Sequence, residues 1–135
     1  MVLVALRPRT SLHHVYFSSK MLKTPTRNVA WMQEQPHSVL TLYRRLLAAR
    51  RAHPAMSIGH FSLLDTEGDV LAYERRHGAE RLIVALNLGG QSHRLKLPDW
   101  ASDCRALLST VADAALAGDG AVLLGADEGV ILRAD

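Results

Sequence analysis

A chain of 135 residues, 48% apolar and 21% charged, can bury a core of its own, and that balance argues against a disordered polypeptide. Its single cysteine, Cys104, excludes an internal disulfide and a multi-cysteine metal site, and fits a reducing, cytoplasmic setting. The net charge of +3 is uneven, because Met1 to Gln33 holds no acidic residue while Arg7, Arg9, Lys20, Lys23 and Arg27 are basic.

Residues 1–27 show no sustained hydrophobic period. Pro8, His13, His14, Ser18, Ser19 and Pro25 break them up, so they read as an irregular leader with a short strand at Val15–Phe17. The apolar run Met1–Leu6 is too short to span a bilayer and lacks the features of a secretory signal, so no membrane partner is expected.

The first strong element is a helix expected from Pro36 to about His53. Proline is tolerated in a first turn, and Val39, Leu40, Tyr43, Leu46 and Leu47 recur on one face of a 3.6-residue period. Arg44, Arg45, Arg50 and Arg51 lie toward its flanks and C-terminal end, where positive charge suits the helix dipole. Pro54 stops the helix and disfavours helical geometry at His53.

From Gly59 the texture changes to short runs separated by turns. Strands are expected at Phe61–Leu64, Val70–Arg76, Arg81–Asn87, His93–Leu97, Arg105–Ser109, Ala121–Leu124 and Gly129–Arg133. Arg81–Asn87 is apolar on both sides, as a central strand covered on both faces would be. Ala112–Ala117 is alanine-rich and reads as one helical turn. About seven strands at this spacing predict a mainly β fold, an antiparallel β-sandwich preceded by one amphipathic α-helix. The domain reading is a leader (1–27), a linker with the helix (28–58) and an antiparallel β domain (59–135).

No motif assembles an active site. Asp65, Glu67 and Asp69 imitate the start of a calcium loop, but the position that needs a bidentate glutamate holds Arg76, so an exposed hairpin is expected. Asp127-Glu128-Gly129 reads in the same way, as a solvated turn. The seven histidines lack metal-ligand spacing, and no glycine-rich nucleophile turn or phosphate loop is present. Cys104 reads as a buried structural thiol. No catalytic residue, metal or cofactor is assigned.

The segments Asn28-Val29-Ala30, Gln35-Pro36-His37-Ser38, Leu42-Tyr43-Arg44-Arg45-Leu46-Leu47-Ala48-Ala49-Arg50-Arg51 and Pro54-Ala55 resemble the end of the catalytic barrel in the α-glucosidase and oligo-1,6-glucosidase branch of the α-amylase family of glycoside hydrolases. The resemblance continues through Gly68–Arg75, Glu80–Asn87, Leu107–Thr110 and Asp127–Leu132, while residues 1–27 match no segment of the family. It implies that Pro36–His53 is similar to the last helix of a (β/α)₈ barrel and that Gly59 onward is similar to the C-terminal β domain. The family's aspartate nucleophile, glutamate acid/base and Asn-His-Asp aspartate would all lie upstream, on barrel segments.

Three functions follow as expectations. The first is a non-catalytic C-terminal fragment of an α-glucosidase-like enzyme, inactive alone. It would pair with a barrel chain or self-associate through Val39, Leu40, Tyr43, Leu46 and Leu47. The second is a stand-alone carbohydrate-binding module using Trp100, Tyr73 and Trp31 as flat apolar surfaces. The third is a partner- or nucleic-acid-binding protein using the basic N-terminus and the arginine helix.

Overall fold

The computed structural model describes residues 29–111, 115–117 and 119–134. The leader and its Val15–Phe17 strand lie outside these residues. The chain divides into two compact units, residues 1–41 and 42–135.

In the first unit, Val29–Glu34 forms a short helix, α1, where the sequence indicated only a linker. The next helix, α2, covers Val39–Ala52 rather than starting at Pro36, which lies in a turn. Its start is set by Ser38. The Ser38 hydroxyl accepts the Thr41 N–H (3.2 Å) and donates to the Met32 carbonyl (2.6 Å), while the Thr41 hydroxyl donates to Gln35 O (2.9 Å). A serine three residues ahead of the N–H it satisfies is a standard N-cap, and it prevails over the weaker signal of proline in a first turn.

In the second unit, α2 ends where His53 turns extended (φ −119°, ψ 97°) ahead of Pro54. Pro54 then opens another short helix, α3 (Pro54–Ile58), in place of the simple stop expected there. Proline needs no partner for its missing N–H at a first helical position, so one residue ends α2 and starts α3.

Among the described residues eight strands follow, all paired antiparallel. β1 (His60–Leu63), β2 (Val70–His77), β3 (Glu80–Asn87), β8 (Gly129–Ala134) and β5 (Arg105–Ser109) form one sheet in that order. β4 (His93–Lys96), β7 (Ala121–Leu124) and β6 (Ala115–Ala117) form the second. A β-sandwich-like arrangement results, as the strand spacing implied. The alanine run is a correction, because Ala115–Ala117 is a strand paired to Ala121–Leu123 across a turn in which Gly120 has φ 71°. Three residues are too few to nucleate a helix, and the ladder to β7 pairs Ala115, Leu116 and Ala117 with a neighbouring strand.

The core follows from strand alternation. Val70, Ala72, Ile83, Ala85, Val130 and Leu132 from the larger sheet meet Leu95, Leu97, Val122 and Leu124 from the smaller sheet and its continuation. Leu64, Trp100 and Cys104 pack against this cluster, so the thiol is half-buried at the edge of the core. β3 is central, and both Leu82 and Ile83 are sealed from solvent although they face opposite sides.

Candidate functional site

The polar groups fall into three places. Asp65, Glu67 and Asp69 sit exposed in the β1–β2 connection, where Gly68 has φ 65° and the Thr66 hydroxyl donates to Val70 O (2.6 Å). This is the solvated hairpin that the sequence implied. Among the described residues no group of three or more His, Cys, Asp or Glu side chains could hold a metal ion.

The second place corrects the sequence reading. Glu128 is buried rather than solvated, and it accepts the Ser109 hydroxyl (2.6 Å) and the Gly125 N–H (2.7 Å). Beside it, buried Asn87 donates to Gln91 O (2.7 Å) and Gly125 O (2.8 Å) and accepts the Gly89 N–H (3.0 Å). Asp127, at φ 53°, turns the chain so that only its neighbour points inward. These bonds tie three loops at one end of the sandwich. The arrangement is a structural knot, with every acceptor turned toward the protein's own donors.

The third place is the outer face of the larger sheet. Paired positions share a face, so Phe61, Leu63, Leu71, Tyr73, Val84 and Leu86 line one side of β1, β2 and β3, opposite the core residue Ala72. Phe61 (48%), Leu63 (65%) and Leu71 (39%) remain exposed there. At the other end of this face, α3 packs on β2 and β3 and buries Ala55 completely. Two sheet side chains hold α3 at its two ends. Glu80 accepts the Ala55 N–H (3.0 Å) and the His53 Nδ1–H (2.6 Å), while Arg75 donates to Ala55 O (3.0 Å) and Met56 O (3.5 Å). An acid at the N-terminal end and a guanidinium at the C-terminal carbonyls complement the charge at the two ends of the helix, with Ala55 O accepting from both Gly59 N–H and Arg75. Gly59 closes α3, and a Cβ there would lie 2.3 Å from Ala55 O, so no side chain fits.

Burial pushes the Glu80 carboxyl upward, but the hydrogen bonds from His53 and Ala55 and the charges of His53 and Arg133 outweigh it, leaving the group below the usual glutamate value. A carboxyl depressed in the folded state contributes stability that is full above its unfolded value and is lost as pH falls through its folded value. Glu80→Gln is therefore expected to cost about 1–2 kcal/mol near neutral pH and to flatten the acid limb of the stability profile. Thermal unfolding of both proteins between neutral pH and about pH 3 would show the two curves converging.

Tyr73 and Trp100 lie on opposite sides of the larger sheet. Tyr73 lies on the outer face with its ring 5.0 Å from that of Phe61. Trp100 lies in a 3₁₀ helix (Asp99–Ala101) against the inner core, on the opposite side of the larger sheet. The Arg81 guanidinium sits 3.5 Å from the Trp100 ring centroid and is ion-paired to Glu74 at 2.7 Å, so one face of this ring is occupied. Trp31 is on α1, in the first unit. No residue of α2 is buried, and Val39 and Tyr43 are well exposed. No helix among the described residues is long and apolar enough to cross a membrane.

The fold thus defines a small β-sandwich-like domain carrying a helical lead-in. No family model matches the chain. It is 38% identical over 72 residues to a probable α-glucosidase of Rhizobium meliloti, covering 53% of this chain and 13% of that protein. It is 41% identical over 73 residues to a trehalose synthase of Thermus thermophilus, covering 53% of this chain and 8% of that one. An oligo-1,6-glucosidase of Parageobacillus thermoglucosidasius is 33% identical over 73 residues. Among solved structures, trehalulose synthase MutB of Pseudomonas mesoacidophila matches with a TM-score of 0.70 and 28% identity, over 82% of this chain and 21% of that one. The chain is similar, in sequence and in fold, to a C-terminal-like part of α-amylase-family enzymes, and it spans only a small fraction of their length.

Proposed function

We propose that this chain is a non-catalytic C-terminal piece of an α-glucosidase-like glycoside hydrolase, a closing helix segment (28–58) and a β domain (59–135) without the catalytic barrel. The carrying observation is the lopsided structural match, four-fifths of this chain against one-fifth of trehalulose synthase. Glycoside hydrolysis of this kind uses two carboxyl groups flanking the scissile bond. By the resemblance, those groups would lie on barrel segments upstream of the matched residues, which supports the non-catalytic reading.

The apolar side chains left at the surface support the same reading. Tyr43 on α2 and Phe61 and Leu63 on β1 would gain from contact with a second body, at roughly 25 cal/mol per Å² of apolar area removed from water. A catalytic barrel chain is the partner proposed for the face Val39, Leu40, Tyr43, Leu46 and Leu47. A cytoplasmic location accords with the lone Cys104.

The purified chain, assayed with p-nitrophenyl α-glucoside, isomaltose and sucrose, is expected to release no product above the buffer rate. Turnover that co-purifies with the chain and disappears on replacing one of its own carboxyl side chains would overturn the proposal.

A further inference from the structure

The elbow between α2 and α3 forms a cleft of about 450 Å³ lined by Leu47, Arg50, Arg51, Pro54, Ser57 and Ile58. Its floor is apolar, with Ile58 70% exposed, and its rim is cationic. None of the four arginines of α2 has a carboxylate partner among the described residues, and Arg50 reaches only the Ser57 hydroxyl, at 3.4 Å. The sequence between Glu34 and Asp65 contains no acidic residue, so these two helices offer no compensating charge of their own.

From this we infer that the cleft docks an acidic polypeptide segment, one that seats an aliphatic side chain on Leu47, Pro54 and Ile58 between carboxylates facing Arg50 and Arg51. Arginines in a last helical turn complement the dipole, but that interaction leaves the guanidinium groups of Arg50 and Arg51 at the cleft rim without a carboxylate partner among the described residues. An apolar floor also separates the two kinds of polyanion. A phosphate backbone gains nothing from Ile58, whereas a polypeptide fills the floor with a side chain and meets the rim with planar, bidentate carboxylates. The inference deepens the accessory-piece reading by giving the chemistry of the partner surface, and it rests on that reading only for where such a segment would come from.

The test uses the full chain and two fluorescein-labelled amphipathic helical peptides, each with one leucine stripe, flanked in one by glutamates and in the other by lysines. Fluorescence anisotropy is expected to show saturable binding of the glutamate peptide alone, weakening as salt is raised. The exposed double substitution Arg50→Glu/Arg51→Glu should lower thermal stability modestly, through reversed charge at the end of α2, and weaken this binding by roughly tenfold or more, as loss of close interfacial charge pairs does. Equal binding of both peptides, no binding of the glutamate peptide at millimolar concentration, or tighter binding of an oligothymidine would each overturn the inference. The salt dependence of the unsubstituted chain decides the question even if the double variant fails to fold. Failure here, with the chain still catalytically silent, would remove the acidic-partner inference and leave the accessory-piece reading standing.

Discussion

Leu132→Ala is expected to lower the stability of the second unit by about 2–5 kcal/mol, toward the upper end of that range. Leu132 lies on β8, which is paired on both sides, with Leu132 opposite Ile83 of β3 and Ala106 of β5. It is fully buried and faces the second sheet across the core. Truncation removes apolar contact and leaves a void. The cost of that void depends on how far neighbours can move into it, and here two hydrogen-bonded ladders hold the backbone in place. Leu123→Ala provides the contrast, since Leu123 is 47% exposed on β7 and its loss should cost well under about 1 kcal/mol. Urea unfolding of both variants would measure the difference as a change in midpoint with little change in slope. Equal midpoints for the two variants would show that the two sheets do not share the tight core described here.

Much of the β architecture was legible because its signals are local and repeated. Val70–Asn87 alternates or runs apolar in register with its turns, and Gly68 and Gly78, both with positive φ, mark the turns that close these hairpins. The central place of β3 could be read from the apolar run Leu82–Leu86, although its outer face is sealed only at Leu82 and stays half-open at Val84 and Leu86. What escaped the sequence reading depends on partners distant in the chain. Glu128 looks like a turn acid until Ser109, nineteen residues away, is brought beside it. Glu80 reads as a turn residue ahead of the Arg81–Asn87 strand until α3 presents the Ala55 N–H to it. β6 was hidden because alanine prefers helix, and only its pairing to β7 reverses that preference. The cleft at the α2–α3 elbow was missed for a related reason. Pro54 signals a stop in the sequence, and its fitness to begin a helix shows only where Ala55–Ile58 fold onto the sheet.

Glu128→Ala is the other substitution with a large expected effect, about 2–4 kcal/mol, from polar rather than apolar loss. The carboxylate takes the Ser109 hydroxyl on one oxygen, in a buried bond, and the Gly125 N–H on the other, in a partly buried one. Removing it leaves two donors without an acceptor, and a buried unsatisfied donor costs about 1–3 kcal/mol. The effect should spread along the knot. The Ser109 hydroxyl also accepts the Val111 N–H, and the Gly125 carbonyl accepts from Asn87, so loosening Glu128 frees the ends of β3, β5 and β7 together. Glu128→Gln separates this account from simple packing. Glutamine fills the same volume but turns one of the two acceptors into a donor, so it should recover only part of the loss. If Gln restored full stability, one of the two bonds would contribute nothing. If Ala were neutral, water would have to replace the carboxylate at both donors. Hydrogen exchange at the Gly125 and Val111 amides reports on both cases directly, because protection there depends on the acceptors that Glu128 and Ser109 supply.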